Sequence, residues 1–237
     1  MPQEEQSTRR DFLKAAAASG AAATLLGSVA CAPRDSRVTV TRRAPIYTPK
    51  IERLRIAYIG TNGIGNYHLE KTRELGITCP CFCDVDTDRM GKAVEFWPGA
   101  TRYQDYRKMF EREAKNFDAV MVGTPDHHHY PATLMAMKLG KHVYTQKPLT
   151  HTVWEARELA KAAQTYPVVT QMGNQGHANE GNRITYEWIR GGFIGDVLET
   201  HTWTDRPVWP QGMGAPEETN PVPPNLDWDS WIGVAPK

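Results

Sequence analysis

The chain has 237 residues, of which 40% are apolar and 23% are charged, and it contains four cysteines. These values are typical of a globular protein and exclude an intrinsically disordered chain, a multi-span membrane protein and a disulfide-stabilised scaffold. The 28 basic and 27 acidic side chains nearly cancel, so the cationic excess that nucleic-acid binding requires is missing and small molecules or other proteins are the expected partners.

The N-terminus resembles an export signal. Arg9 and Arg10 precede an alanine-rich stretch without charge, and an adjacent arginine pair is typical of the twin-arginine route. We therefore expect the twin-arginine translocase as a partner and a periplasmic or otherwise exported location. Because this route moves folded proteins, it suits an enzyme that acquires its cofactor in the cytoplasm. A membrane anchor and a lipid-modified Cys31 are the alternatives, although glycines and serines dilute the stretch and Ser28 stands where a lipoprotein signal has leucine.

Short apolar runs and helical patterns alternate from residue 54 onward. The predicted strands are Leu54–Ile59, Ile77–Cys83, Ala119–Val122, His142–Thr145 and Val168–Val169. The predicted helices are Ile64–Leu75, Asp86–Phe96, Ala132–Leu139 and one that begins after Thr152, which has capping-box spacing to Glu155. Such alternation predicts an α/β fold with a doubly wound parallel sheet covered by helices on both faces. Ligands of such sheets bind beyond the carboxyl ends of the strands.

Three of the cysteines belong to the second predicted strand. Cys79, Cys81 and Cys83 alternate along it, so we expect all three on one face. Zinc spacing normally leaves a turn between ligands, and cysteines two apart on a strand are badly placed for a disulfide. We interpret them as small, buried apolar residues.

The turn after the first predicted strand has the composition of a dinucleotide-binding loop. It consists of Gly60, Thr61, Asn62, Gly63, Ile64 and Gly65. Glycines let the backbone approach a pyrophosphate held by the amides of a helix N-terminus. Asn62 replaces the second glycine of the GxGxxG pattern and can adopt a left-handed conformation at some cost. Asp84, 24 positions after Gly60, can accept both ribose hydroxyls, which favours NAD over NADP. A structural glycine turn with a capping aspartate is the alternative.

Two further strand ends carry the sequences TPDHHH, from Thr124 to His129, and QKP, from Gln146 to Pro148. With these motifs, the glycine turn and the later sequences QMGNQGH, WTDRPVWPQG and LDWDSWIG, the chain resembles the Gfo/Idh/MocA family of sugar and cyclitol oxidoreductases. The resemblance covers nearly all of the chain after residue 53. It implies a Rossmann-type domain and hydride transfer between a nicotinamide cofactor, NAD or less favourably NADP in view of Asp84, and a secondary hydroxyl of a sugar or cyclitol.

The resemblance also implies roles for single residues. In the family, a lysine in an EKP motif lies beside the nicotinamide and the reacting carbon, and this catalytic role carries over to Lys147. Gln146 stands where the family has glutamate. The expected cofactor contacts are Gly60, Asn62, Gly63, Ile64 and Gly65 in the glycine turn, and Asp84, Thr124, Pro125, His129, Gln146 and Lys147 outside it.

Other polar and aromatic residues allow two interpretations. Asn174, Gln175 and His177 follow the last predicted strand and either contact substrate hydroxyls or are ordinary loop residues. We expect no metal site at His127–His129, because successive side chains diverge. We interpret four tryptophans as core or interface residues rather than sugar platforms, namely Trp203, Trp209, Trp228 and Trp231.

Four segments are expected: a signal peptide (1–32), a linker arm (33–53), the dinucleotide-binding domain (54–175) and part of a substrate or oligomerisation domain (176–237). In the family the second domain is an open α+β sheet, and here it is expected to begin with the helix Asn182–Ile189 and the strand Asp196–Thr204. Against the family the chain resembles a C-terminally truncated enzyme without its second catalytic group, which we do not assign to His201. The resemblance implies a homo-oligomer at full length.

Three functions fit this sequence. The first is an NAD-dependent oxidoreductase acting on sugars or cyclitols. The second is a glycoside hydrolase that uses the cofactor transiently. The third is a cofactor-binding fragment without catalysis.

Overall fold

A six-stranded parallel sheet organises the computed structural model, which describes residues 53–205, 212, 214 and 220–235. The strands are β1 (Ile56–Ile59), β2 (Cys81–Cys83), β3 (Thr101–Tyr103), β4 (Ala119–Val122), β5 (His142–Gln146) and β6 (Thr170–Gly173). Their order is β3-β2-β1-β4-β5-β6, and all neighbours are parallel. The doubly wound sheet predicted from the alternating pattern is therefore confirmed, and its strand order reverses between β1 and β4.

Helices connect the strands and continue beyond them. They are α1 (Ile64–Glu74), α2 (Gly91–Phe96), α3 (Tyr106–Glu113), α4 (His129–Lys138), α5 (Val153–Thr165), α6 (Glu180–Arg190) and α7 (Trp228–Ile232). The Thr152 hydroxyl accepts a hydrogen bond from the Glu155 amide at 3.2 Å, and the Glu155 carboxylate accepts one from the Thr152 amide at 2.8 Å. The predicted capping box thus begins α5.

Two apolar clusters cover the two faces of the sheet. Ala57 and Ile59 of β1 point into one cluster, together with buried residues of α3, α4 and α5. Ile56 and Tyr58 point into the other, together with Leu69 of α1 and residues near α2. Alternate residues of β1 therefore serve opposite faces, and all four are buried because helices cover both sides.

The three cysteines divide between these clusters. Cys81 and Cys83 lie in the cluster with α3, α4 and α5, whereas Cys79 lies in the cluster with α1. The expectation that all three share one face is wrong, because β2 begins only at Cys81 and strand alternation does not extend to Cys79. Their burial as free thiols agrees with the sequence, and burial raises the pKa of Cys81 to about 12.

Several elements differ from the sequence-based expectations. β6 begins at Thr170, after the predicted Val168–Val169, because β5 pairs with it in the register that joins Val143 to Thr170. The predicted strand Asp196–Thr204 is wrong, since residues 197–205 form neither strand nor helix. A strand needs a neighbour for its backbone groups, and no described strand pairs with this segment.

The segment from α6 to residue 205 exposes an unusual amount of apolar surface. Every residue of α6 is exposed. The exposed large side chains include Tyr186, Trp188, Phe193, Leu198 and Trp203. Trp203 was predicted to be a core or interface residue. It does not lie in the core, since 85% of its surface is exposed.

Residues 220–235, the C-terminal segment, pack against the loop that follows β2. Leu226 forms an antiparallel bridge with Asp86, and the Asp227 amide donates to the Val85 carbonyl at 2.9 Å. The Ile232 side chain is buried. The segment therefore reaches the carboxyl edge of the sheet although α7 has only five residues.

The predicted signal peptide and Cys31, Trp209 and nearly all of the predicted arm lie outside the described residues. Among the residues described, no helix combines the length and apolar character needed to cross a bilayer.

Candidate functional site

Three loops meet at the carboxyl edge of the sheet, where the strand order reverses. The Gly60 amide donates to the Cys83 carbonyl and the Gly123 amide donates to the Ile59 carbonyl, both at 2.8 Å. These bonds extend the strand ladders into the loops after β1 and β4 and hold the loops beside each other. The loops border a cleft of about 490 Å³. Its lining residues are Gly60, Asn62, Gly63, Asp84, Val85, Asp86, Arg89, Gly123, Thr124, Pro125, Leu226, Trp228 and Trp231.

The glycine turn is shaped by two close backbone contacts and one open position. A Cβ on Gly65 would overlap the Gly60 carbonyl oxygen, and a Cβ on Gly60 would lie 2.8 Å from the carbonyl carbon of Gly123. A Cβ on Gly63, where φ is 57°, would meet no atom within 4 Å. Gly63 also caps α1 without a side-chain hydrogen bond. The turn thus packs tightly toward the sheet and leaves open space for an anion beside Gly63, although the Gly65 and Asn66 amides already donate to the Asn62 and Gly63 carbonyls.

Asn62 lines the cleft without the strain that the sequence allowed for. Its side-chain oxygen accepts a hydrogen bond from the side-chain nitrogen of Asn66 at 2.9 Å. Among the described residues only glycines have a positive φ, so Asn62 does not adopt the left-handed conformation. Ile64, another turn residue that was predicted to contact the cofactor, is the first residue of α1 and is partly exposed.

The Asp84 carboxylate, at the end of β2, faces the glycine turn. One oxygen accepts hydrogen bonds from the Thr61 amide at 2.9 Å and the Thr61 hydroxyl at 3.2 Å, and the other accepts one from the Asp86 amide at 3.1 Å. A carboxylate offers about four acceptor positions. Asp84 therefore keeps acceptor capacity for ribose hydroxyls while it joins the loops after β1 and β2.

Thr124 and Pro125 also line the cleft, from the loop after β4. The Thr124 hydroxyl is buried and has no hydrogen-bond partner among the described residues. A buried polar atom without a partner is uncommon in a native protein and indicates a ligand or water contact. The hydroxyl thus fits a polar group of a nucleotide in the cleft.

His129 lies behind these loops rather than in the cleft. Its side chain is buried, with Nε2 against the Thr124 carbonyl oxygen at 2.8 Å and Nδ1 against the Pro148 carbonyl oxygen. A neutral imidazole can donate to only one of them. The expectation of a direct cofactor contact is therefore replaced by a positioning role, in which His129 ties the loop after β4 to the loop after β5.

Gln146 and Lys147 end β5 in different surroundings. Gln146 is buried, and its side-chain oxygen accepts a hydrogen bond from the Gln175 side-chain nitrogen at 3.1 Å. The same Gln175 nitrogen lies 3.3 Å from Nε2 of His68, a buried histidine of α1 whose pKa is lowered by burial. Lys147 is exposed, and in the described part of the chain its amine has no recorded ion pair or hydrogen bond. The lysine amine is thus free to bind a ligand, whereas the Gln146 side chain is already hydrogen-bonded to Gln175.

The remaining candidate residues separate in space. Asn174 and His177 are exposed beyond β6, so either of the two interpretations still applies to them. His127 and His128 direct their Nε2 atoms to the same carbonyl oxygen, that of Trp231, at 2.9 and 2.8 Å. His128 therefore contacts the C-terminal segment while His129 contacts Pro148, and the three histidines do not converge.

Arg89, Leu226, Trp228 and Trp231 line the cleft but were not predicted as site residues. Arg89 follows Asp84 by five positions and pairs with Asp86 at 3.3 Å. The tryptophans belong to the LDWDSWIG motif, which carried part of the resemblance without an assigned role. Only the packing of the C-terminal segment brings them to the site.

Comparison with known families decides the assignment of this site. Residues 54–174 match the model of an oxidoreductase family described as having an NAD-binding Rossmann fold, Gfo/Idh/MocA. The chain belongs to the Gfo/Idh/MocA oxidoreductase family. Residues 6–25 match the signal sequence of the twin-arginine translocation pathway, which directs the protein to the periplasm. Both predictions from the sequence are confirmed.

The matches to individual relatives cover less than half of the length of each relative. Glycosyl hydrolase family 109 protein 1 of Shewanella sp. (strain MR-4) is 28% identical over 209 residues, which cover 80% of this chain and 44% of that protein. The crystal structure of myo-inositol 2-dehydrogenase from Lactobacillus plantarum superposes with a TM-score of 0.57 at 27% identity, covering 62% of this chain and 43% of that one. The WlbA dehydrogenase of Thermus thermophilus, crystallised with NAD and UDP-GlcNAcA, shares the fold at 23% identity and a TM-score of 0.53, over 58% and 47% of the chains.

The cleft fits the NAD cofactor of the family. The open position at Gly63 and the uncapped start of α1 suit the pyrophosphate. Asp84 has acceptor capacity for a ribose, and the unpartnered Thr124 hydroxyl needs a polar partner. Residues 54–174 are therefore an NAD-binding Rossmann domain, as the sequence predicts.

Proposed function

We propose that the protein is an NAD-dependent oxidoreductase that transfers hydride between the nicotinamide and a secondary hydroxyl of a sugar or cyclitol, with Lys147 as the proton-transferring group. The observation that carries this proposal is the unpaired, exposed amine of Lys147 directly after β5. Parallel strands present their carboxyl ends at one edge of the sheet, so Lys147 shares that edge with Asp84 and the glycine turn.

The similar proteins support this substrate class. The structural relative at 27% identity is a myo-inositol 2-dehydrogenase, and another neighbour, at 20% identity, is a scyllo-inositol dehydrogenase crystallised with bound NAD(H) and scyllo-inositol. The substrate named for each enzyme is a cyclitol, whose ring carries secondary hydroxyls. The second supports the shared fold only, because its identity is below 25%.

NAD, when bound, would supply the acceptor for a hydride from the carbon that bears the hydroxyl. The amine of Lys147 takes the hydroxyl proton, so that electron density can leave the carbon. Asp84 and the start of α1 would hold the adenosine half of the cofactor, while His129 holds the backbone of the loop that carries Lys147 through the Pro148 carbonyl. Correct placement of these groups supplies much of the rate.

A glycoside hydrolase is the second candidate, favoured by the name of the relatives that align over 80% of this chain. In that reaction transient oxidation would acidify the carbon next to the departing group, and the cofactor would return to its starting state. Lys147 would again move a proton. Release of free sugar from a glycoside without net NADH formation separates this activity from a dehydrogenase.

The test compares Lys147→Ala with Lys161→Ala, which removes an exposed lysine of α5 away from the cleft. NADH formation is followed with a panel of sugars and cyclitols that includes myo-inositol, and NAD affinity is measured by calorimetry. Loss of a general base costs about 10² to 10⁴ in rate, so Lys147→Ala should lower turnover at least about a hundredfold while NAD affinity stays within about twofold. Unchanged turnover in that variant refutes the role of Lys147.

A further inference from the structure

Hydrogen bonds hold the C-terminal segment against the loop that follows Asp84, the residue expected to bind the ribose. The Thr87 amide donates to the Asn225 carbonyl at 3.0 Å, and the Asn225 side-chain amide donates to the Asp86 carboxylate at 2.6 Å. With the bridge between Leu226 and Asp86, these contacts fix the segment along the loop that starts at Asp84. The segment thus forms a side of the cleft although it lies outside the family's NAD-binding domain.

Two stacked indoles of this segment line the cleft. The rings of Trp228 and Trp231 are parallel within 6°, with centroids 5.0 Å apart. Their exposed fractions are 41% and 38%, although the Trp231 carbonyl is held by His127 and His128. The backbone is therefore fixed, whereas the indole pair at the wall of the cleft remains partly exposed.

The position of this surface relative to Asp84 selects its occupant. In a dinucleotide the adenine is bonded to the ribose whose hydroxyls Asp84 is placed to accept. Only that ribose therefore separates the base from the Asp84 carboxylate. Trp228, Trp231 and Leu226 are the large apolar side chains that line the cleft beside the loop after β2. Aromatic side chains bind any base through its face. The nicotinamide, in contrast, is expected toward Lys147, which lies at the same edge of the sheet but is not among the residues that line this cleft.

We propose that Trp228 and Trp231 form the adenine-binding wall of the NAD site. The proposal extends the cofactor site beyond residues 54–174 and does not depend on which substrate is oxidised. It also makes NAD binding and docking of the C-terminal segment mutually favourable, because the adenine is held between the segment and the loops of the sheet.

The test uses the 237-residue chain with three probes in calorimetry: NAD, AMP and nicotinamide mononucleotide. Trp231→Ala and Trp228→Ala are compared with Trp188→Ala, which removes an exposed indole of α6. We expect the Kd of NAD and AMP to rise about tenfold in the two cleft variants, in keeping with the loss of a base–aromatic stack, and to stay unchanged in Trp188→Ala. The Kd of nicotinamide mononucleotide should not change, and Trp231→Phe should restore most of the AMP affinity.

Two results overturn the proposal. One is an AMP affinity that is unchanged in both cleft variants, and the other is an equal loss of AMP and nicotinamide mononucleotide affinity, which would mean a general collapse of the cleft. If the alanine variants do not fold, indole fluorescence decides the question. AMP should quench the emission of the unmodified chain and of Trp188→Phe to the same extent, and absence of quenching in both contradicts an adenine at the indoles.

Discussion

The Asp84 carboxylate accepts a hydrogen bond from the Thr61 backbone amide at 2.9 Å. The Thr61 hydroxyl donates to the same carboxylate at 3.2 Å, and the two bonds join the acidic end of β2 to the glycine turn. The turn and the carboxylate therefore hold each other in place through residues 23 positions apart in the sequence.

Replacing Asp84 by alanine should weaken NAD binding more than NADP binding. The variant loses charge-assisted acceptors for the ribose, each with a contribution of about 1.5–3 kcal/mol, and loses a negative charge that repels a 2′-phosphate. We expect the Kd of NAD to rise at least about tenfold and the preference for NAD over NADP to shrink, as measured by calorimetry. Asp88→Ala, in the exposed 3₁₀ turn nearby, is the matched control. NAD affinity that survives in a folded Asp84→Ala variant contradicts the assignment.

Alanine at Gly65 and at Gly63 should have different effects on stability. At Gly65 the new methyl overlaps a backbone carbonyl, and overpacking of this kind costs about 1–3 kcal/mol. At Gly63 the methyl enters open space, so only the backbone, with φ 57° and ψ −118°, is strained, at about 1–3 kcal/mol. Urea unfolding followed by circular dichroism should place Gly65→Ala below Gly63→Ala. The reverse order would show that the contact with Gly60 is not as tight as described.

Thr152→Ala should lower stability without touching the cofactor site. It removes the hydroxyl that accepts from the Glu155 amide at the start of α5, and loss of an N-cap costs about 1 kcal/mol. The free energy of unfolding should fall by that amount while the Kd of NAD is unchanged. Thr165→Ala, whose hydroxyl bonds only to the Lys161 carbonyl at the other end of α5, should have a smaller effect. Equal losses would indicate that the capping box adds nothing.

Mild acid should destabilise the fold through two buried histidines. Burial lowers the pKa of His68 and His128 below the ordinary value of 6.5. Below pH 6.5 the unfolded chain therefore binds more protons than the folded chain, and stability falls as pH decreases toward the folded pKa values. The maximal slope is about 1.4 kcal/mol per pH unit for each histidine.

Urea unfolding at intervals between pH 7.5 and 5 measures this slope. His68→Gln and His128→Gln should each reduce it, whereas His201→Gln, at an exposed histidine, should leave it unchanged. The carboxylates act in a separate window, because Arg55 holds the pKa of Asp118 below its ordinary value of 3.8. A pH-independent free energy of unfolding above pH 5 is inconsistent with neutral, buried histidines.

The sequence predicts well where local chemistry decides the structure. β4 has the predicted limits, Ala119–Val122. A short apolar run between turn residues is typical of a buried strand in a sheet with helices on both faces. The capping box at Thr152 and Glu155 involves residues three positions apart and can be recognised without any tertiary context. The same holds for the glycine turn, whose role follows from a strand before it and a helix after it.

Prediction fails where distant packing decides. β3 contains only three residues, and two of them, Thr101 and Arg102, are exposed, so no apolar pattern marks it as a strand. The site contribution of Trp228 and Trp231 depends on contacts between the C-terminal segment and the loop after β2, and no local pattern specifies such contacts. Cys79 shows the same limit, since Pro80 and the late start of β2 place it on the other face.

The hydrogen bond from Asn225 to Asp86 spans 139 positions of the chain. Contacts of such sequence separation require closure of a long loop before they contribute any stability, so they form after the neighbouring strands have paired. During synthesis the parallel sheet can assemble while the C-terminal segment is still at the ribosome. A nucleotide that arrives at that moment meets an open groove, and the proposed adenine wall forms only once residues 220–235 have docked on the loop after β2.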